Sequence, residues 1–515
     1  APASGERCPV GPPPDSRRFC PCSLRAPGTD DGGACRNHEE CLKIVDRFLD
    51  EQPRAFGLLQ VRAARGNLGG GPCGGQCWLP GPCPEGDAKC RYDTYDSALA
   101  AIYYTKRGRL PEAKKILDAF VRILYPTSLA QLRPSTSETL HKGGPSGRML
   151  TLLASSYNKA QEPQAGNYQA PWVTDGGVDT GNNAWVALAF AHYAAATGSA
   201  CHATIARDIL AALASGACQD HLGGFLGHLA PYKANYRSTE HNVDVFALSK
   251  VLGSAEEMRQ AHRFVHSMFG KSPEHEYNST YAIGTGAAHA CDYSVPKGSP
   301  VAADGTFWNL LADVDPNETR INAALAFALR KPGIDAHGRL DTRGLWVEDV
   351  DLIWTGSKQP PRLNGTRFST WGNGVQWENT AGAVMAMVHY QAKYGIGDSL
   401  DLPRYIQEAR DSLRHLLGMY GGVPSSVLGG NYAAWQSGER RSIFPGGSDT
   451  GLGWPYLRYL ATAPTAWAGL MLLHQASVAD AVNESANPYA PPSKPVPSGT
   501  DATCIPGGAP EVIHT

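Results

Sequence analysis

The sequence predicts an all-α fold assembled from helical hairpins, and three observations predict it. Apolar segments of helical length recur at Ser97 to Tyr104, Ala184 to Ala196, Val243 to Leu252 and Ala381 to Tyr394, each opened by polar and aromatic residues. Most are followed by an amphipathic segment suited to a half-exposed cover. No strand-period stretch competes with these in length or number. An arm that is apolar on nearly every face cannot bury itself within one hairpin, so the units must stack beside one another.

Taken in order, residues 1–37 are rich in Pro, Gly and Cys and read as an irregular, disulfide-stapled arm. Helical spacing begins at His38, with Leu42, Ile44, Val45 and Phe48 on one face, and a Gly- and Cys-rich loop at 69–90 interrupts it. Tyr92-Asp93-Thr94-Tyr95-Asp96 opens the first apolar arm, and Leu110 to Tyr125 is its companion. Asp179-Thr180-Gly181-Asn182-Asn183 opens the second, paired with Thr204 to Ala214. Arg237 to Asp244 opens the third, which Ser238 or Thr239 can cap and Gly253 closes; Ser254 and Glu257 then make a capping box for the next helix. A shorter arm runs from Thr319 through Leu329, Trp377-Glu378-Asn379-Thr380 opens another, paired with Tyr405 to Tyr420, and Trp454-Pro455-Tyr456 leads into Thr465 to Ser477. The helical domain thus spans 38–489, and a Pro/Ser/Gly-rich tail, 490–515, either lies extended against it through Cys504 or is flexible. If the inner arms all run the same way, their N-termini collect at one end as a concave site lined by dipole ends, carboxylates and rings.

With 515 residues, 42% of them hydrophobic, the chain can bury a large core. A net charge of −2 and a pI near 6.8 give no electrostatic case for nucleic acid or an anionic membrane. No run approaches the roughly 20 apolar residues a spanning helix needs. The Ala-Pro-Ala-Ser start reads as a processed terminus, consistent with a removed signal peptide and a secreted, extracellular protein. Nine of the thirteen cysteines fall within the first 90 residues without paired Cys-x2-Cys knuckles, which favours disulfides over zinc. The odd cysteine leaves a free thiol or a bridge to another chain, so self-assembly through it or through the termini is one expectation. Sequons at Asn278, Asn317, Asn364 and Asn483 predict N-glycosylation. No His-Glu-x-x-His spacing or phosphate loop occurs, so neither metal nor cofactor is expected.

Tyr95-Asp96-Ser97-Ala98-Leu99-Ala100, Asp179-Thr180-Gly181-Asn182-Asn183-Ala184-Trp185, Thr239-Glu240-His241-Asn242 and Trp377-Glu378-Asn379-Thr380-Ala381 resemble the inner-helix openings of the six-hairpin, or (α/α)6-toroid, glycosidase superfamily. The resemblance covers roughly residues 38–489. It implies an inner ring of helices wrapped by an outer one, a carbohydrate cleft at the loop-rich end, and acid/base carboxylates near the inner-helix openings. The Cys-rich arm and the tail have no counterpart in that pattern.

Glycoside hydrolysis usually needs two carboxyl groups, one held protonated as general acid. Among Asp175, Asp179, Glu240, Asp244, Asp304, Glu348, Glu378 and Asp449, the strongest candidates are Glu240 and Glu378, each at the mouth of a strongly apolar arm where desolvation raises a carboxyl pKa. Asp179 follows as an assisting group, although Asp is also a preferred N-cap. Trp185, Trp308, Trp377 and Tyr92 are candidate stacking platforms for a sugar. His241 and Asn242 could orient Glu240 or bind hydroxyls, and Arg237 could bind an acidic sugar. Two other readings stand beside the hydrolase. One is a polysaccharide lyase using Tyr236, His241, Asn242 and Arg237; the other is a glycosylated structural or fibre-forming subunit without turnover.

Overall fold

A computed structural model describes residues 34–63, 90–127, 138–271, 278–296, 298–330, 333–334, 340–341, 343–350, 361–395, 400–427, 447–457, 459–475 and 484–506. Twelve α-helices occur among them: α1 (His38–Glu51), α2 (Thr94–Lys106), α3 (Leu110–Leu124), α4 (Thr180–Thr197), α5 (Ala200–Leu213), α6 (Thr239–Leu252), α7 (Ala255–Ser267), α8 (Ala303–Ala312), α9 (Glu318–Ala328), α10 (Trp377–Tyr394), α11 (Leu402–Tyr420) and α12 (Thr462–Gln475). The even-numbered helices form the inner ring. Each packs on the next, from α2 through α4, α6, α8 and α10 to α12, and α12 packs back on α2. The outer helices α3, α5, α7, α9 and α11 cover the inner helix that precedes each in sequence, whereas α12 is covered by α1. The fold is an (α/α)6 toroid, closed by pairing the first helix with the last.

Side-chain chemistry sorts the helices between the rings. All ten residues of α8 are buried, and in α4 burial runs almost unbroken from Thr180 to Ala195. Alanines alternate there with Trp185, Leu188 and Phe190, letting neighbouring helices approach closely. The outer α1 buries one stripe, Cys41, Leu42, Val45, Phe48 and Leu49, and exposes its charges. Left-handed Gly198 and Gly253 stop α4 and α6, a conformation that costs glycine little.

One predicted element changes place. The segment from Thr319 was expected to be an apolar arm, but α9 is an outer helix burying Ile321, Ala324, Leu325, Phe327 and Ala328 along one side. The inner arm of that hairpin is α8, whose ten residues carry a weaker length cue than its neighbours.

Among the described residues the strands are short and lie in the connections, in pairs apart from one three-stranded sheet, the longest pair joining Trp346–Val350 to Arg362–Thr366. All seven described cysteines are disulfide-bonded, including Cys35–Cys41, Cys218–Cys291 and Cys201–Cys504. The last bond ties the tail to α5, so the tail lies against the domain as far as Pro506. No helix among the described residues is long and apolar enough to cross a membrane. Asn278 and Asn317 are exposed, whereas Asn364 lies half-buried in a strand with its side-chain oxygen enclosed. Asn483, the arm to residue 33 and the Cys-rich loop as far as 89 lie outside the described residues.

Candidate active site

A four-residue device starts the inner helices. Their first four residues are Thr94-Tyr95-Asp96-Ser97, Thr180-Gly181-Asn182-Asn183, Thr239-Glu240-His241-Asn242, Ala303-Asp304-Gly305-Thr306, Trp377-Glu378-Asn379-Thr380 and Thr462-Ala463-Pro464-Thr465. Where the first residue is Thr, its hydroxyl donates to a carbonyl of another segment: Ala154 from Thr94, Leu226 from Thr180, Ala282 from Thr239 and Gln60 from Thr462. In every inner helix but α8, where Thr306 meets the Thr280 hydroxyl, the fourth residue accepts from a backbone N–H outside its helix. Ser97 takes that of Leu59, Asn183 that of Leu153, Asn242 that of Phe225, Thr380 that of Thr366 and Thr465 that of Val423. These bonds satisfy loop groups the toroid buries and fix the rotation of each helix about its axis. Positions two and three are thereby turned inward.

All of them except Gly305 line one cavity of about 490 Å³. The second residues, Tyr95, Gly181, Glu240, Asp304, Glu378 and Ala463, all face it, so the six inner helices present their N-termini at the same end. Asp244 and Trp185 line it one turn deeper, with Trp308, and Phe368, Trp454, Tyr456 and Tyr459 add aromatic wall. Trp454 is 47% exposed and packs edge-on against Phe368, placing an open aromatic surface on the lining. Gly181 is required by close approach: a β-carbon there would lie 2.6 Å from the His241 ring and 2.9 Å from Asp244 Oδ2.

The carboxyl groups divide by environment. Glu378 Oε1 accepts from the Tyr95 hydroxyl at 2.5 Å, and that hydroxyl accepts from Trp467 Nε1 at 2.7 Å. Tyr95 can reach from α2 because α12, between α2 and α10, presents small Ala463 and Pro464. Burial pushes the Glu378 carboxyl up to about 7, with the Tyr95 and Gln376 hydrogen bonds holding it from rising further. Glu240 and Asp304, on adjacent helices, hydrogen-bond to each other. Burial, then the charges of Asp304, Asp244 and Glu378, drive Glu240 well above its ordinary value. Asp304 rises by burial to about 6, restrained by the Gly305 N–H at 2.6 Å and by Glu240. The pair therefore holds one proton on the Glu240 side while Asp304 ionises first. Asp96, pushed well up by burial and the nearby Asp93 and Glu378, accepts the Ala463 N–H at 3.0 Å and ties α2 to α12.

Of the residues singled out from sequence, Glu240, Asp244, Asp304, Glu378, His241, Trp185 and Trp308 meet in this cavity. The others face elsewhere. Asp179 occupies the N-cap position of α4, 2.6 Å from His228 Nε2, with Ser155 and Asn182 donating to it; burial opposes its ionisation, but His228 outweighs that and holds it low. Arg237 is fully buried, its guanidinium donating to Asp220 and to the carbonyls of Gly223, Cys291 and Asp292, so it braces a loop and offers no cation to a ligand. Asn242 serves the helix-start device. Tyr92 is buried with its hydroxyl on Gln60, and Trp377 is fully buried as the first residue of α10. Asp304, Asp96 and Tyr95 were not ranked from sequence, yet all three sit at the second or third position of the same device. No group of three or more His, Cys, Asp or Glu residues able to hold a metal ion occurs among the described residues.

An (α/α)6 toroid with a carboxyl-rich, aromatic-walled cavity at its inner-helix N-termini is the class that fold and site define. No family model and no curated protein matches the chain. Among solved structures it is similar to a family 76 glycoside hydrolase from a bovine Bacteroides thetaiotaomicron strain, at 9% identity and a TM-score of 0.47 over 85% of this chain and 77% of that one. It is also similar to an endo-β-1,4-glucanase from Acetobacter xylinum (12% identity, TM-score 0.40, 74% and 97% covered) and to cellobiose 2-epimerase from Spirochaeta thermophila (14% identity, TM-score 0.46, 85% and 95% covered).

Proposed function

We propose that this protein is a secreted glycoside hydrolase whose acid/base machinery is Glu378 on one side and the Glu240–Asp304 pair on the other. The observation that carries the reading is that these carboxyls, on three consecutive inner helices, open into one aromatic-walled cavity with different proton affinities. Glu378 keeps its proton up to about pH 7 and gives it to the leaving glycosidic oxygen. The ionised member of the Glu240–Asp304 pair, Asp304 at about 6, acts as base or nucleophile, and Glu240 supports it by donating a hydrogen bond. Trp454 and Phe368 give the sugar an apolar face to stack on.

The lyase reading loses support because the cation it needs is already engaged. Arg237 is committed to carbonyls, and Arg91, the guanidinium on the cavity lining, is engaged by Asp93 at 3.0 Å and Asp175 at 3.7 Å. A uronate would meet carboxyls instead. The structural-subunit reading predicts a filled cleft, which the cavity does not favour.

Incubation with a panel of neutral polysaccharides tests the proposal. New reducing ends without unsaturated ends are expected, and Glu378→Gln and Glu240→Gln each reduce their formation by about 100-fold or more with the fold intact. Full activity in both variants would remove these residues from the chemistry.

A further inference from the structure

The C-terminal segment from Glu484 enters the toroid from the end opposite the cavity. Between Glu484 and Tyr489 it crosses the C-terminal ends of the inner helices: Lys106, the last residue of α2, donates to the Ser485 carbonyl, and Asn487 Nδ2 donates to Leu311 O of α8 at 2.9 Å. His192 Nε2 of α4 meets Pro488 O at 2.8 Å. Beyond it, Arg207 holds the Pro497 carbonyl, Thr204 accepts the Asp501 N–H, and the Cys201–Cys504 disulfide anchors the segment on α5. All this tethering delivers one side chain into the axis. Tyr489 is fully buried, with its ring centroid 5.1 Å from Trp185 and 6.0 Å from Trp308, both cavity residues, and its hydroxyl donates to Asp244 Oδ1 at 2.8 Å.

We propose that Tyr489 is a positioning residue of the candidate site, contributed by the C-terminal segment, which fixes the Asp244 carboxyl in the cavity floor one turn below Glu240. Asp244 is faced by Glu240 on its own helix, by Asp304 of α8, by Trp185 and Gly181 of α4 and by Tyr489. A buried carboxyl among other carboxyls keeps one orientation only if a donor holds it there. The ring alone would fill the axis, but only the hydroxyl reaches Asp244. Tyr489 belongs to none of the twelve helices, so the floor is completed from outside the two rings.

The kinetic part of the test rests on the glycosidase reading; a spectroscopic part does not. In the full-length protein, Tyr489→Phe keeps the ring and removes the donor. On the glycan the wild type cleaves, kcat falls about tenfold while KM stays within about threefold, and helical circular dichroism is unchanged. Asp244→Asn/Tyr489→Phe is no slower than Asp244→Asn alone, since the hydroxyl acts through that carboxyl. Wild-type kcat in a folded Tyr489→Phe, or additive losses in the double variant, overturns the inference. If the wild type cleaves nothing in the panel, the glycosidase reading fails, and the inference is judged on the pH titration of tryptophan fluorescence, because Trp185 lies against Asp244. Loss of the donor raises the Asp244 pKa, moving that transition to higher pH in Tyr489→Phe; a superimposable curve overturns the inference. Should Tyr489→Phe not fold, Cys201→Ser/Cys504→Ser, which loosens the segment without altering Asp244, carries the same expectations and the same overturning results.

Discussion

At the scale of single residues, catalytic candidacy turns on an offset of a few positions along a helix start. Asp179 stands at the N-cap of α4 and Glu240 at the second residue of α6, a difference of two positions that rotates a side chain by roughly 200° about the helix axis. The sequence therefore revealed that acidic residues gather at helix openings, but not which of them look inward. Glu240 and Glu378 were legible because long apolar arms follow them. Asp304 was less so, since α8 spans ten residues. The residue-scale prediction concerns pH. With Asp304 at about 6 required ionised and Glu378 at about 7 required protonated, activity rises with pH through the first value and falls through the second. A bell centred between them is expected in a kcat/KM profile. Tyr95 donates to the Glu378 carboxylate and so favours its ionised form; Tyr95→Phe should move the alkaline limb to higher pH, and an unmoved limb would remove Tyr95 from the tuning of Glu378.

At the scale of elements, the four-residue start, which is Thr-x-x-(Ser/Asn/Thr) in α2, α4, α6 and α12 and lacks the first Thr in α8 and α10, is the unit that makes six diverged hairpins equivalent. It is present in the sequence as a pattern, yet it is hard to weigh there because its partners are backbone groups from other segments. Asn183 shows what it does: its side-chain oxygen accepts Leu153 N–H at 2.8 Å and its amide donates to Leu153 O at 3.0 Å, all buried. Asn183→Ala strands both groups and is predicted to destabilise by about 1–3 kcal/mol, read as a lowered denaturant midpoint at unchanged slope. An exposed polar substitution such as Lys115→Gln should fall within roughly 0.5 kcal/mol. Equal effects at the two sites would deny the device a structural role.

At the scale of the whole molecule, the toroid encloses carboxyls that are most stable with their protons on. Asp349 is fully buried in a strand, accepts Val375 N–H at 2.7 Å and is raised by burial to about 7. Because its folded value lies above the unfolded one, its contribution is fully present below about pH 4 and is lost as pH rises toward 7, at up to about 1.4 kcal/mol per pH unit. Asp349→Asn, which retains an acceptor for Val375, should flatten the decline of Tm between pH 4 and 7; an unchanged slope would mean that Asp349 ionises freely in the folded state.

Ring closure also governs the order of events during synthesis. The chain is cut inside a hairpin, with α1 made first and its partner α12 made last. On the ribosome α1 can bond Tyr103 and Tyr104 of α2 early, but it lacks its inner-ring partner until α12 emerges. Tyr489 arrives later still. A nascent chain halted before α12 would have five stacked hairpins and an open seam. Closing the seam takes α12, and the residue that finishes the floor follows it in sequence.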